Sequence, residues 1–560
     1  MSRQNLVQRL SHWLPFLLWP RPNGALLRTE ALAGVTVGLM LVPQGIAYAS
    51  LAGMPLITGI YAAMLPALIA VLFSASPRLS VGPTALTCLM VSASLTGLAE
   101  PGSPRWIELA MWLALLSGLL QIALGYLRSG WLLSLVNAPV LMAFTQGAAV
   151  LIMGSQLPAM LGLTGGWASL LASAGAHPVL HLPTLAFGLG TYLALLLARR
   201  LPKTVPTVLL VVVVSAAISA WGSFEAAGGA VIGDLPRGLP GLALPGWPGW
   251  EVLGQLLLPT LLITLVSFLE TASSARVDSR EKGQRWDRER DLIGHGLGKV
   301  AAGFSGTFPT STSFSRSALN RYAGARTGWS VVFSVGVVAL ALIFTPVLHH
   351  VPMAVLAAVV VVAVQGLIAP REFVRVWKIS RVEAGIAVVT FAVTVASAPR
   401  LYWGVLTGVV MALSHFLYLR LHPRIIEVGV HPDGSLRDRH LWHLPALGPH
   451  TYALRMDAAL DFATANDLER NITLHLARHP GTRHVLLIAH PINWIDATGV
   501  ETFGTLLEQL HAQGIALHLV GLKLPVEQVL RAAGLLHPHP LLSLYRTEAE
   551  ALQVNWRDAL

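Results

Sequence analysis

Glu270 is the residue whose position most needs a reason. It sits in the apolar run from Leu256 to Ala275, with no other ionisable residue before Arg276. A charged carboxylate at bilayer depth is expensive, so carboxyls placed there line an ion or proton path, or are kept neutral by neighbours. A carboxyl that alternates between charged and neutral carries protons; the bland reading is a structural carboxyl bonded to a nearby helix. Two stretches rich in Ser, Thr, Pro and Gly come next: Ser80-Val81-Gly82-Pro83-Thr84, and Thr307-Phe308-Pro309-Thr310-Ser311-Thr312-Ser313. Each reads as extended chain followed by a short apolar helix. Helix N-termini carry partial positive charge and unpaired N–H groups, so two of them facing each other make an anion site without a full cation. The hydroxyls of Thr310, Ser311, Thr312, Ser313 and Ser315 would add donors, and Arg316 would add fixed charge; such hydroxyls also serve simply as helix caps. Gln44 and Tyr48, four residues apart, share a helix face, and a membrane-embedded amide needs a partner, either an anion or a neighbouring backbone group.

The elements that must hold these residues are membrane spans. Of 560 residues only 12% are charged and 54% are apolar, and mean hydropathy is +0.63, which excludes an ordinary soluble enzyme. Apolar stretches fall near 30–50, 57–75, 84–98, 107–127, 131–153, 183–199, 205–221, 252–276, 291–304, 313–322, 329–347, 352–369, 383–397 and 400–420. With four arginines before the first (Arg3, Arg9, Arg21, Arg28) and no cleavable signal pattern, the N-terminus is expected to stay inside. Fourteen spans then end inside, and the charge of the connections alternates as it should. Inside connections carry Arg78; Arg128; Arg199, Arg200 and Lys203; a loop from Arg276 to Arg290; Arg321 and Arg326; and Arg371 to Arg381. Outside connections carry only Arg105, Arg237 and Arg400. The third and tenth stretches are the two short ones and lie seven apart, as in two inverted halves of seven with broken helices meeting at mid-membrane. The alternative is a pair of ordinary spans kinked by proline and glycine.

After Arg424 the chain changes character. The tail holds ten basic and fourteen acidic residues, whereas the part before it holds twenty-eight and fourteen. The net charge of +10 therefore sums a basic membrane part and an acidic tail, and implies no nucleic-acid partner. Strand patterns at 484–489 and 516–521 alternate with helical ones at 498–513 and 525–533, which predicts a small cytoplasmic α/β domain. The organisation expected is a cytoplasmic segment 1–28, a transmembrane domain 29–423 and a cytoplasmic domain 424–560. Cys88 is the one cysteine, so disulfide and thiolate-metal chemistry drop out. His349-His350 and His537-Pro538-His539 have no ligand set near them in sequence and read as surface histidines. Gly294-His295-Gly296-Leu297-Gly298-Lys299 lacks the spacing and the following hydroxyl of a nucleotide loop. No enzymatic set, cofactor or metal site is expected.

Leu41-Val42-Pro43-Gln44-Gly45-Ile46-Ala47-Tyr48-Ala49, Ser80-Val81-Gly82-Pro83-Thr84 and Ser313-Phe314-Ser315-Arg316-Ser317-Ala318-Leu319-Asn320 resemble the signatures of the SulP sulfate-permease family of anion transporters. Asp496-Ala497-Thr498-Gly499-Val500 is similar to part of its C-terminal STAS domain. The resemblance implies two inverted seven-span repeats divided into core and gate, a homodimer, and an anion held between the third and tenth segments. Matched by motif, it implies Gln44, Tyr48, Thr84, Ser313, Ser315 and Arg316 around the anion and Glu270 as the proton-coupling carboxylate. A sodium-coupled bicarbonate branch of the family resembles this chain but typically carries Asp near that position. Thr498 stands where soluble STAS relatives carry a phosphorylatable serine, which makes it the regulatory candidate.

The expectation is thus an inner-membrane secondary transporter of a small anion, sulfate first, coupled to protons through Glu270, with both termini cytoplasmic and a cytoplasmic regulator acting on the STAS domain. The alternatives are an anion exchanger, a channel-like conductance, a sodium-coupled bicarbonate transporter, and an anion-sensing receptor that signals through the tail.

Overall fold

The computed structural model describes residues 14–131, 137–163, 181–198, 200, 206–236, 238–343, 345–398, 400–554 and 556. Arg3, Arg9, Arg199, Lys203 and Arg237 lie outside the described residues, as does 132–136 near the start of the fifth apolar stretch. The chain divides into two compact units, Met1–Ala412 and Leu413–Leu560, a division twelve residues earlier than the change in charge at Arg424 because the last apolar helix straddles it.

The first unit is helical and built to span a membrane. In chain order it comprises α1 (Gly24–Leu51), α2 (Ile57–Ala62), α3 (Leu65–Phe73), β1 (Val81–Gly82), α4 (Ala85–Leu95), α5 (Pro104–Tyr126), α6 (Ala138–Leu161), α7 (Leu182–Ala198), α8 (Thr207–Trp221), α9 (Trp250–Glu281) and α10 (Arg288–Phe304). It continues with β2 (Ser311–Thr312), α11 (Phe314–Tyr322), α12 (Trp329–Ala341), α13 (Thr345–Leu348), α14 (Met353–Gln365), α15 (Pro370–Ile379), α16 (Arg381–Ala396) and the first half of α17 (Tyr402–Leu421), the helix that straddles the division. Among the described residues, six helices are long and apolar enough to cross a membrane, and the rest of the apolar helices are shorter.

Most expected stretches correspond to one helix, and the departures have local causes. The fifth starts later than expected, because Asn137 caps α6 by accepting from Val140 N and Pro139 occupies its first turn. The second is two helices, α2 and α3, because Pro66 in the first turn of α3 favours a new start. An unexpected helix, α15, buries no residue and sets exposed Val374, Trp377 and Ile379 among Arg371, Arg375 and Lys378.

Connections expected on one side of the membrane meet in space. Arg78 pairs with Asp278 at 2.5 Å and with Glu281 at 3.3 Å, and Arg321 joins Glu281 at 3.3 Å. All of these belong to connections that charge alternation puts inside. Connections that charge alternation puts outside meet as well: Ile232 N donates to Val351 O at 3.0 Å, Met353 N to Ala230 O at 2.9 Å, and Arg105 to Pro248 O at 3.0 Å.

Close packing explains the glycine-rich run 294–299. Helix–helix association in lipid relies on small residues that let backbones approach. A Cβ on Gly294 would lie 2.6 Å from Ser74 N, one on Gly296 2.8 Å from Gly118 O, and one on Gly298 2.8 Å from Pro66 O. These glycines press α10 against α5 and α3, which leaves no role for them as a phosphate loop.

The second unit is an α/β domain with a six-stranded sheet ordered β4-β3-β5-β6-β7-β8, made of Leu436–Asp438, Ile425–Val430, Thr451–Met456, His484–Ile488, Ala516–Val520 and Leu542–Tyr545. β5 to β8 run parallel and β3 and β4 antiparallel. Side chains alternate across the sheet. Leu454, Val485, Leu487, Leu517 and Leu519 face α18 (Ala465–Arg478), α19 (Ala497–Ala512) and α20 (Leu524–Ala532), while Ala453, Leu486, Ile488 and Val520 face α21 (Glu548–Leu552) and Trp556. The strands and helices expected at 484–533 are all present. β3, β4, β5 and β8 lie beyond the expected pattern.

Candidate anion site

Both stretches expected to be broken are broken. β1 and β2 pair antiparallel, Val81 with Thr312 and Gly82 with Ser311. Ser313 N donates to Ser80 O at 3.0 Å, and Ser80 N donates to the Ser317 hydroxyl at 2.9 Å. This small ribbon gives the unwound backbone its partners, as a non-helical segment inside a membrane protein requires. A half-helix leaves each strand. Pro83 cannot continue a ladder, and Thr84 (φ −125°, ψ 150°) caps α4 by accepting Thr87 N; Ser313 (φ −86°, ψ 120°) caps α11 by accepting Arg316 N.

The residues singled out by type converge on this crossing. Glu270 of α9 is half-buried, and its Oε2 accepts from the Thr84 hydroxyl at 3.2 Å. Ser311 of β2, Arg316 and Lys299 all lie within electrostatic reach of it. Glu270 therefore touches the head of α4 and sits close to the strand that leads into α11. Arg316 is 1% exposed. Its Nε donates to Ser80 Oγ at 3.3 Å, one terminal nitrogen to Gln44 Oε1 at 3.4 Å and the other to Pro83 O at 3.0 Å. It thus ties α11 to the strand before α4 and to α1. Gln44, its carbonyl oxygen taken by the guanidinium, is left with its NH2 donors. Tyr48 is buried within electrostatic reach of Arg316, Cys88 and Glu270.

The hydroxyls divide by use. Thr312 is spent on packing, at 2.9 Å from Thr271 Oγ1 and 3.4 Å from His295 Nδ1. Ser311 also lies 3.5 Å from Ser267 O. Ser313 is half-buried, Ser315 is exposed, and their hydroxyls are 3.2 Å apart. Thr310 is buried, and its hydroxyl has no partner among the described residues. Thr498 belongs to the second unit, exposed in the first turn of α19 behind Asp496, which caps that helix through Gly499 N at 2.8 Å.

Several buried polar residues escaped the reading by type. Lys299 on α10 is wholly buried, and its Nζ donates to Gln121 Oε1 at 2.7 Å. The signal was available, since a lysine in the run 291–304 is an intramembrane cation. Asp291 accepts from Ser74, Ser76 and Trp286 side chains at 2.5, 2.6 and 2.7 Å, and Glu30 accepts the N–H groups of Arg326, Thr327 and Ser330 at the head of α12. A cavity of about 590 Å³ between α7 and α8 is lined by Phe187, Leu210, Val214 and Ile218 with no charged side chain among the described residues, which suits an apolar occupant rather than an anion.

Residues 27–390 match the sulfate permease family and residues 448–551 the STAS domain. A probable sulfate transporter of Mycobacterium tuberculosis is 31% identical over 519 residues, covering 91% of this chain and 92% of its own. A probable sulfate transporter 4.2 of Arabidopsis thaliana is 30% identical over 565 residues, covering 96% and 82%. In fold the chain is similar to the murine solute carrier 26 family member A9 anion transporter in its inward-facing state, with a TM-score of 0.86 at 18% identity over 99% of this chain and 95% of that one.

Proposed function

The chain belongs to the sulfate permease family and ends in a STAS domain, and on that premise we propose that it carries a small anion, sulfate first, across the inner membrane by proton-coupled symport. The observation that carries this reading is the contact of Glu270 with Thr84, the residue that caps one half-helix. A hydroxyl has one hydrogen. When Glu270 is charged, its carboxylate outcompetes the neutral Thr87 hydroxyl, 3.1 Å from Thr84 Oγ1, for the Thr84 hydrogen. When Glu270 is protonated, its own O–H can donate to Thr84, and the Thr84 hydrogen is freed to turn to an anion in preference to Thr87 Oγ1. Proton uptake then adds a donor for the anion and removes a negative charge beside it. The same event lowers the charge the loaded core carries past the gate.

In this reading Gln44, Tyr48, Thr84, Ser313, Ser315 and Arg316 surround the anion. Gln44 presents N–H groups because Arg316 holds its oxygen, and Arg316 supplies charge while fixing the ribbon. The membrane part, 29–423, is fourteen spans in two inverted seven-span repeats, core and gate. It works as a homodimer with the segment 1–28 and the STAS domain 424–560 in the cytoplasm. A cytoplasmic regulator acts on the STAS domain, with Thr498 its point of modification: a phosphate there would sit at the N-terminus of α19, where negative charge is favoured.

The test is sulfate uptake into proteoliposomes with the membrane potential clamped at zero. One coupled proton makes each pH unit across the membrane worth about tenfold in accumulation. Wild-type protein should follow that slope, and Glu270→Gln should accumulate nothing above equilibrium while still binding sulfate. An unchanged slope in Glu270→Gln would defeat the reading, and dependence on a trapped counter-anion without pH dependence would replace it with exchange.

A further inference from the structure

The histidine pair 349–350 lies where α13 leads into α14, and in sequence it has no ligand set. The fold supplies one. The 229–234 stretch of the connection after α8 is laced to the segment before α14 by Ile232 N to Val351 O at 3.0 Å, Gly233 N to His349 O at 3.1 Å and Met353 N to Ala230 O at 2.9 Å. This brings Glu225 and Asp234, more than a hundred residues earlier in the chain, to the histidines. We propose that Glu225, His349 and His350 form a binding site for a divalent transition-metal ion of the zinc class, with Asp234 orienting His349 from behind.

The geometry is that of a metal site. One ligand atom from each of Glu225, His349 and His350 lies within 4.8 Å of the others. His349 Nε2 is 3.4 Å from Glu225 Oε2. Two ligands about 2.0–2.1 Å from a tetrahedral zinc ion lie roughly 3.3–3.4 Å apart, so these two atoms already sit at the edge length such an ion requires. The opposite ring nitrogen, Nδ1, is 2.8 Å from Asp234 Oδ1. A metal-bound histidine characteristically gives its other N–H to a carboxylate, which fixes the tautomer and strengthens the ligand. His350, its ring centroid 4.8 Å from that of His349, supplies the third donor. Two imidazoles and one carboxylate are the ligand types of zinc, cobalt and nickel rather than magnesium or calcium, which take oxygen alone. Glu225 has a side-chain exposure of 55% and His349 of 25%, so the site opens to solvent and keeps a fourth position for water. Both connections are ones that charge alternation puts outside, where the ion would arrive from the medium. A bound ion would clamp the connection after α8 to the head of α14 in addition to the three backbone hydrogen bonds.

The experiment is zinc titration by calorimetry of the full chain in lipid nanodiscs, purified without a histidine tag and stripped with chelator, with magnesium as the second titrant. The tail contains further histidine pairs, such as His475 with His479 and His511 with His539, so the readout is the difference between wild-type and variant. Wild-type should show one zinc equivalent that His349→Ala/His350→Ala loses, and magnesium should not fill it. Asp234→Asn should weaken that equivalent by about tenfold, the effect of losing an outer partner, and Glu225→Gln by at least as much. Replacing cobalt for zinc should give the intense visible bands of a four-coordinate ion in wild-type only. Equal zinc stoichiometry and affinity in wild-type and the double variant overturns the site, as does equal binding of magnesium. If the double variant elutes aggregated, Glu225→Gln decides alone: its side chain is on the surface, and unchanged zinc affinity there overturns the proposal.

Discussion

Arg316→Ala should damage anion binding more than any other single change at the crossing, because the guanidinium does two jobs. It supplies positive charge beside α4 and α11, and it holds Pro83 O, Gln44 Oε1 and Ser80 Oγ together at 3.0, 3.4 and 3.3 Å. Hydrogen bonds from a charged donor contribute about 1.5–3 kcal/mol each, and a buried acceptor left without a donor costs about 1–3 kcal/mol. The two longer contacts belong at the low end of the first range. Ser80 can turn to another partner, so the ready-made arrangement rests on Pro83 O and Gln44 Oε1, and rebuilding it on binding in the variant costs at most about 3 kcal/mol, a ceiling of a little over a hundredfold in affinity. Arg316→Lys keeps the charge but one ammonium cannot span three acceptors set around a planar fork, so about tenfold is expected. The assay is sulfate binding to purified protein by calorimetry, with far-ultraviolet circular dichroism to show that helical content is retained. Affinity within threefold of wild-type in Arg316→Ala, at unchanged helicity, would refute the reasoning, since neither the charge nor the ribbon it fixes would then matter to the anion.

Two further outcomes follow from packing and from titration. A Cβ on Gly59 would lie 1.9 Å from Gly45 O and 3.0 Å from Ala49 Cβ, so Gly59→Ala must push α2 off α1; a loss of about 1–3 kcal/mol is expected, read as a lower melting temperature in detergent, and an unchanged melt contradicts it. In the tail, burial first and neighbouring His484 second pull His518 down from 6.5 to about 4, and the two rings meet at 3.1 Å, Nδ1 to Nε2. The folded state thus favours neutral His518, so its contribution is full above about pH 6.5 and is lost as pH falls toward 4. Amide exchange of β6 and β7 in the full chain, corrected for intrinsic rates, should be faster at pH 5 than at pH 7.5, and His518→Phe should flatten the difference; a flat wild-type profile refutes it.

What could be read from sequence was local. Glu270 stands out because one carboxyl in an apolar run is visible without a neighbour, and the broken helices stand out because Pro83, Pro309 and the hydroxyls around them punctuate the chain where it breaks. Partners remote in sequence stayed hidden. Lys299 finds Gln121 at a separation of 178 residues, Asp291 finds Ser76 at 215, and the Arg326 amide finds Glu30 at 296. Each is a buried charge that looks unexplained until the helices are docked. The glycines at 294, 296 and 298 show in sequence only what they cannot bind, since the backbones they admit belong to α3 and α5. His349-His350 shows no ligand set in sequence for the same reason: Glu225 and Asp234 are in another connection. In the tail the missing strands were β3, β4, β5 and β8, where β4 and β8 are three and four residues long and carry little periodic signal.

The crossing must satisfy two opposed demands. Lipid requires every backbone group to be bonded, while an anion site requires donors left free. At the head of α11, Arg316 N goes to Ser313 Oγ and Ser317 N to Ser313 O. At the head of α4, Thr87 N goes to Thr84 Oγ1 and Cys88 N to Thr84 O. The first two amides of each half-helix, Ala85 with Leu86 and Phe314 with Ser315, have no backbone acceptor among the described residues, and these four are what the pair can offer an anion. Main-chain donors escape ordinary mutagenesis, but proline removes one where the helix tolerates it. Phe314 is the first residue of α11, where proline is favoured, and Ser313 before it already has the extended backbone that a following proline needs (φ −86°, ψ 120°). Phe314→Pro should therefore keep the fold and lose one donor, weakening sulfate about tenfold, the contribution of one hydrogen bond to a charged group. Phe314→Ala, which keeps the amide and loses the same 53%-exposed ring, should bind within threefold of wild-type. If both variants bind alike, the anion does not use the amides of α11, and the free ends of the broken helices need another explanation.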